Sequence, residues 1–185
     1  MISFKQFINE SKKIIAYHGS KDVIDDFKYD YTNKGNDQLG SGFYFTTDKN
    51  EAKSYGKNVH EVELTLDNPI DAEKIGNLSI QQAKMFIKNA PNYNEDLMNW
   101  GDVDREGEEK VLKTASEAYA FKNRIIVRAL FNLANDFYRD ETEEFNKNVK
   151  KILGFDSLYK KHENGAIHYV AFFPSQIKIL KIVPE

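Results

Sequence analysis

Two short segments combine residue types that hold a flat, polar ligand. In Tyr17-His18-Gly19-Ser20, a histidine and a glycine end the apolar run Ile14-Ile15-Ala16. An imidazole placed there can hydrogen-bond a sugar hydroxyl. A residue without Cβ lets a ligand lie against bare backbone N–H and C=O. A carboxamide, with one donor and one acceptor side by side, is one group that fits. In Gly40-Ser41-Gly42-Phe43-Tyr44-Phe45, two glycines flank Ser41 and allow a second close approach. Tyr44, and Tyr55 further on, offer flat faces for stacking a ring. Taken singly, each feature has a plain alternative: His-Gly is usually only a turn, and a Tyr-Phe strand usually only core.

Other chemistries find no support. The chain has no GxxxxGKS/T phosphate loop, no GxSxG elbow and no HExxH. It has no cysteine, which removes disulfides, thiolate zinc sites and cysteine nucleophiles. The histidines His18, His60, His162 and His168 form no close pair at helical metal-ligand spacing, and His162-Glu163 is an adjacent pair on a predicted loop, so no metal is expected. The net charge is only -3, and the densest basic run, Lys147, Lys150 and Lys151, follows the acidic Glu141, Glu143 and Glu144. That pattern reads as a solvated helix whose end charges suit its dipole, rather than as a nucleic-acid face. No apolar run approaches the ~20 residues of a membrane span, and no secretory h-region is present, so a soluble product with no membrane partner is expected.

The elements that must position these residues follow from periodicity. A short strand is predicted to end at His18-Gly19-Ser20, followed by a polar loop over 21–41 with one helical turn. Phe43 to Thr46 reads as a strand, and Asp48 to Tyr55 as a short helix capped by Asp48 and stopped by Gly56. Val59 to Leu66 alternates, with Val62, Leu64 and Leu66 on one face, as a half-buried strand does. The middle is helical. Ser79 and Gln82 form a capping box before Ala83, Phe86 and Ile87, and Pro91 ends that helix. A polar link over 92–107 carries Trp100. Helical spacing resumes at Val111, Leu112, Ala115, Ala118 and Tyr119, then over Ile125 to Phe137, then at Phe145, Val149 and Ile152, with Gly154 as the stop. Strands return at Ile167 to Phe173 and at Ile177, Ile179 and Ile182. This order predicts an α+β domain over 11–185, with a sheet assembled from both ends of the chain and a helical insert over about 72–152.

The order of these segments resembles the ADP-ribosyltransferase superfamily, on its His-Tyr-Glu branch and nearest to small phage and bacterial relatives. AYHGS resembles the family's histidine strand. GSGFYFTTDKNEAKSYG resembles its glycine-tyrosine segment, helix and second tyrosine. GFDSL with HYVAFFPSQIKI resembles its terminal strand pair. The resemblance implies a split antiparallel β-sheet and NAD as co-substrate. It implies His18 on the nicotinamide ribose, the Gly19 backbone on the carboxamide, and Tyr44 and Tyr55 on either side of the nicotinamide ring. Ser20 would line the adenosine side, and Phe45 would pack below the site. The sequence departs from the family at two positions. Ala52 stands where polymerases carry a carboxamide-binding serine, and His168 stands where the family has its catalytic glutamate. A neutral imidazole can accept the ribose hydroxyl but brings no negative charge to the breaking bond. Glu163 and Asp156, from the preceding loop, are candidates for the missing acid. The plain alternative for His168 is a partly buried histidine on an edge strand.

The implied activity is NAD-dependent mono-ADP-ribosyl transfer, with His18, Tyr44 and His168 as the catalytic set. The acceptor would be a host protein or nucleic acid, selected by the loops over 21–39 and 92–107. Two alternatives stand beside it: a module that binds NAD or ADP-ribose without turnover, and an internal head protein that inhibits a host factor. MISFKQFINE resembles the capsid-targeting leaders of T4-like phages. That implies cleavage by a prohead protease after Glu10, packaging in the virion and delivery to the host cytoplasm. An ordinary N-terminal helix burying Phe4, Phe7 and Ile8 is the alternative.

Overall fold

The computed structural model describes residues 12–31, 41–139 and 141–183. The leader expected over 1–10 and residues 32–40 of the polar loop, Gly40 among them, lie outside the described residues. The structure is α+β, with a seven-stranded sheet in the order β4-β7-β8-β2-β1-β3-β9. Its strands come from both ends of the chain, as the sequence predicts. They are β1 (Lys12–Ser20), β2 (Phe43–Thr46), β3 (Asn58–Leu66), β4 (Pro69–Asp71), β7 (Ser157–Lys161), β8 (Ile167–Ala171) and β9 (Ile177–Val183).

β1 and β3 pair antiparallel along their whole length, from Lys12↔Leu66 to Ser20↔Asn58. The alternation of β3 places Val62, Leu64 and Leu66 in the core, fully buried. β2 runs antiparallel to β8, with Tyr44 opposite Val170 and Thr46 opposite His168. Between β1 and β2 there is one register pair, Tyr17↔Thr46. The sheet therefore parts in its middle, and the split lies where the His-Gly and Tyr-Phe segments meet. The sheet is not wholly antiparallel, because β4 and β7 pair parallel. Parallel neighbours need a long crossover, and the helical insert supplies it.

The insert holds α2 (Ile80–Lys88), α3 (Tyr93–Met98), α4 (Val103–Glu106), α5 (Glu108–Tyr119), α6 (Ile126–Phe137) and α7 (Thr142–Leu153). The capping box of Ser79 and Gln82 starts α2, and Gly154, in the left-handed region at φ 81°, ends α7. Two features depart from the sequence reading. The polar link over 92–107 folds into α3 and α4, because Leu97 finds a buried seat and Asp102 caps α4 through the backbone N–H of Arg105. A small two-stranded sheet pairs β5 (Ile75–Leu78) with β6 (Phe121–Ile125), where Asn123 donates its backbone N–H to the Asn77 side chain at 2.9 Å.

Two apolar clusters sandwich the large sheet. One gathers Phe86, Leu112, Leu133, Phe137 and Val149 of the insert against Ile70, Leu158 and Val170. The other joins Ala16, Phe27, Phe43, Phe45, Val62, Leu64 and Leu66. The alternation of β2 explains the division: Phe43 and Phe45 enter the second cluster, while Tyr44 packs against the first.

Candidate functional site

Continued past Tyr17↔Thr46, the antiparallel register would set His18 against Phe45 and Gly19 against Tyr44. The strands part instead, and backbone groups that a ladder would pair must find other partners. The His18 side chain supplies one: its Nδ1 lies 2.8 Å from the Tyr44 carbonyl oxygen. A carbonyl only accepts, so Nδ1 carries the proton. Burial pushes the His18 pKa below its ordinary 6.5; the bond to Tyr44 opposes this, and the nearby His60 adds to it. The ring is thereby neutral near pH 7, and its Nε2 is left as an acceptor. The structure brings His18 and Phe45 together, with ring centroids 5.8 Å apart, and Phe27 meets the imidazole edge-on at 5.3 Å.

His60 braces this arrangement from β3. It is completely buried, accepts the backbone N–H of Ile24 at 2.9 Å through Nε2, and faces the His18 carbonyl oxygen through Nδ1 at 3.4 Å. The segment leading to Phe27 is thus tied down beside His18. Nothing in the sequence marks His60 as functional, since its role depends on the β1–β3 register.

Helix α1 (Lys49–Tyr55) follows β2 and begins at Asp48, whose carboxylate accepts the backbone N–H groups of Asn50 and Glu51. It packs closely on β1. A Cβ placed on Gly19 would lie 1.7 Å from the Ala52 carbonyl oxygen and 3.3 Å from Tyr55 Cβ. The approach of α1 therefore requires a glycine at position 19. Ala52 is fully buried at this contact, and Tyr55 is 63% exposed beside it. Ser20, at the end of β1, accepts the backbone N–H of Asp22 at 3.3 Å.

His168 is not on an edge strand. β8 lies between β7 and β2, which places His168 directly across from Thr46 and in the row of the last β1–β2 pair. Its Nε2 is 2.7 Å from Glu51 Oε1. The other oxygen of Glu51 accepts the Thr46 hydroxyl at 2.7 Å. His162, read from sequence as a loop residue without a histidine neighbour, lies with its ring centroid 4.0 Å from that of His168. The two acids proposed to reach this position sit elsewhere. Asp156 is buried and accepts the backbone N–H groups of Asp67 and Asn68, and Glu163 is exposed on the turn between β7 and β8. The carboxylate beside His168 comes from α1. In sequence, Glu51 looks like an ordinary first-turn acid; only its place one helical turn before Tyr55 hinted at more.

The family of ADP-ribosyltransferases in polyvalent proteins matches residues 9–181. No curated protein matches the chain. Among solved structures, one titled as the crystal structure of an anti-CRISPR protein aligns with 95% of this chain and 99% of its own, at 17% identity and a TM-score of 0.42. No helix among the described residues is long and apolar enough to cross a membrane.

Proposed function

The chain belongs to the family of ADP-ribosyltransferases in polyvalent proteins, and we propose that it is a mono-ADP-ribosyltransferase that takes NAD into the split between β1 and β2. The observation that carries this reading is the pairing of His18 with Tyr44 where the ladder ends. It leaves a neutral imidazole whose Nε2 can accept, next in the chain to Gly19, which packs against the α1 helix.

In this reading His18 Nε2 accepts a hydroxyl of the nicotinamide ribose, and the Gly19 backbone holds the carboxamide. Tyr44 and Tyr55 flank the nicotinamide ring, Ser20 faces the adenosine side, and Phe45 packs below. The bond between the ribose anomeric carbon and the nicotinamide nitrogen breaks. Both electrons leave with nicotinamide, which becomes neutral, and positive charge develops on the ribose. The acceptor nucleophile bonds to the anomeric carbon and gives its proton to solvent. The catalytic contribution is positioning and electrostatic stabilisation of that charge, with His168 on the ribose side. The resemblance of residues 1–10 to a prohead leader supports a host macromolecule as the acceptor and a phage virion as the carrier.

His168 favours a second reading, in which the cleft binds NAD or ADP-ribose and does not turn it over. One experiment separates the two. NAD labelled in its adenylate half is incubated with the protein and a bacterial lysate, and free nicotinamide and macromolecule-bound label are measured. The transferase reading expects both, and expects both to be lost in His18→Ala. Tight NAD binding without nicotinamide release would establish the binding module instead.

A further inference from the structure

The Glu51–His168 contact is built rather than incidental. Both carboxylate oxygens are engaged, Oε1 with His168 Nε2 and Oε2 with the Thr46 hydroxyl, each at 2.7 Å. Thr46 is held in turn: its Oγ1 accepts the backbone N–H of Asp48 at 3.1 Å, which directs its own proton to Glu51. Thr47 ties the same end of β2 to β8, accepting the N–H of Ile167 at 3.0 Å. The His162 ring packs beside that of His168, with centroids 4.0 Å apart. The pair is neither sealed nor loose, with side-chain exposures of 19% for His168 and 26% for Glu51.

Its position matters as much as its geometry. Thr46 and His168 belong to the row of Tyr17↔Thr46, the last rung before β1 and β2 part. Helix α1 spans the opening, meeting His168 through Glu51 and Gly19 through Ala52 and Tyr55. Residues 51 and 55 are one turn apart, about 6 Å along a helix axis. The pair therefore stands about one turn from the tyrosine assigned to the nicotinamide ring.

A carboxylate only accepts, so the shared proton sits on His168 Nε2, and in the neutral ring Nδ1 becomes the acceptor. The Glu51 carboxylate supplies the negative charge of the pair, and Nδ1 is the remaining polar atom of the ring. We infer that Glu51 is a positioning residue for this reaction: it fixes the tautomer and direction of His168 and places a negative charge behind it, so that the pair does the work that a glutamate on β8 would do alone. This rests on the reading of the chain as an NAD-cleaving transferase. The histidine on the strand and the acid on the helix divide between them the two tasks of accepting the ribose hydroxyl and opposing the developing positive charge.

The test measures nicotinamide release, NAD affinity by calorimetry and Tm for the full chain and three variants. Glu51→Gln keeps the shape and removes the charge. It is expected to lower kcat about tenfold or more, with KM and NAD affinity within about threefold and Tm close to that of the unsubstituted chain. His168→Glu alone sets two carboxylates together and also lowers kcat. The double variant Glu51→Gln/His168→Glu restores one carboxylate facing one donor, and its kcat is expected to exceed that of both single variants. A Glu51→Gln chain with unchanged kcat overturns the inference and leaves the transferase reading intact. So does a double variant no more active than Glu51→Gln. A natural chain that releases no nicotinamide at saturating NAD overturns the transferase reading and this inference with it.

Discussion

His18 Nδ1 donates to the Tyr44 carbonyl oxygen across the point where β1 and β2 part. One bond thereby closes the backbone gap and orients the imidazole. Burial lowers the pKa of His18 below 6.5, so the unfolded chain takes up its proton more readily than the folded one. The sign follows: this contribution to stability is full above about pH 6.5 and falls as the pH drops below that value. Urea midpoints measured from pH 7.5 down to about 5 should decline more steeply for the natural chain than for His18→Gln. Parallel profiles for the two proteins would contradict a neutral, half-buried His18.

Gly19 makes a different prediction, because its constraint is steric. Its missing Cβ is replaced by the Ala52 carbonyl oxygen. Gly19→Ala must push α1 away from β1, at a cost of about 1–3 kcal/mol. A fall in Tm of several degrees is expected, together with loss of the Glu51–His168 bond. Loss of that bond is read from the His168 ring resonances, which should move toward those of the Glu51→Gln variant. An unshifted Tm would show that α1 does not need the glycine.

Tyr55 should behave in the opposite way. It is largely exposed, so Tyr55→Ala should change stability by less than about 0.5 kcal/mol. If it stacks on nicotinamide, the loss of one aromatic face should weaken NAD binding about threefold to tenfold. A calorimetric titration of the variant checks both halves, and unchanged affinity would remove Tyr55 from the site.

Asp156 is a structural acid. It is buried and holds the backbone of Asp67 and Asn68 and the Ser157 hydroxyl. Asp156→Ala strands these donors and should cost about 2–3 kcal/mol. At a temperature where the variant remains folded, its nicotinamide release should match that of the natural chain. A selective loss of kcat would place this carboxylate in the chemistry after all.

The sequence was most readable where local rules decide the structure. The Asp48 cap, the Ser79–Gln82 box, the stop at Gly154 and the alternation of β3 all appear as read. It was least readable where the partner is far along the chain. Glu51 meets His168 across 117 positions because β2 and β8 are register neighbours, and nothing local to either residue announces that pairing. His60 is another such case, its burial set by a loop that folds back from Ile24. The parallel β4–β7 pair and the β5–β6 ribbon are likewise products of the insert's packing. His18, Gly19, Tyr44 and Tyr55 stand out in the sequence by their types and order. The structure brings His18 to Tyr44 and Gly19 to Tyr55, and links His168 to that group through α1.

Titration of NAD into the natural chain and into His18→Ala by calorimetry tests the central claim most directly. The account predicts saturable binding of one NAD to the natural chain, and binding at least about tenfold weaker in a folded His18→Ala, since the variant loses both the ribose contact and the orientation of Tyr44. No binding at millimolar NAD, or equal binding by the two proteins, would contradict it.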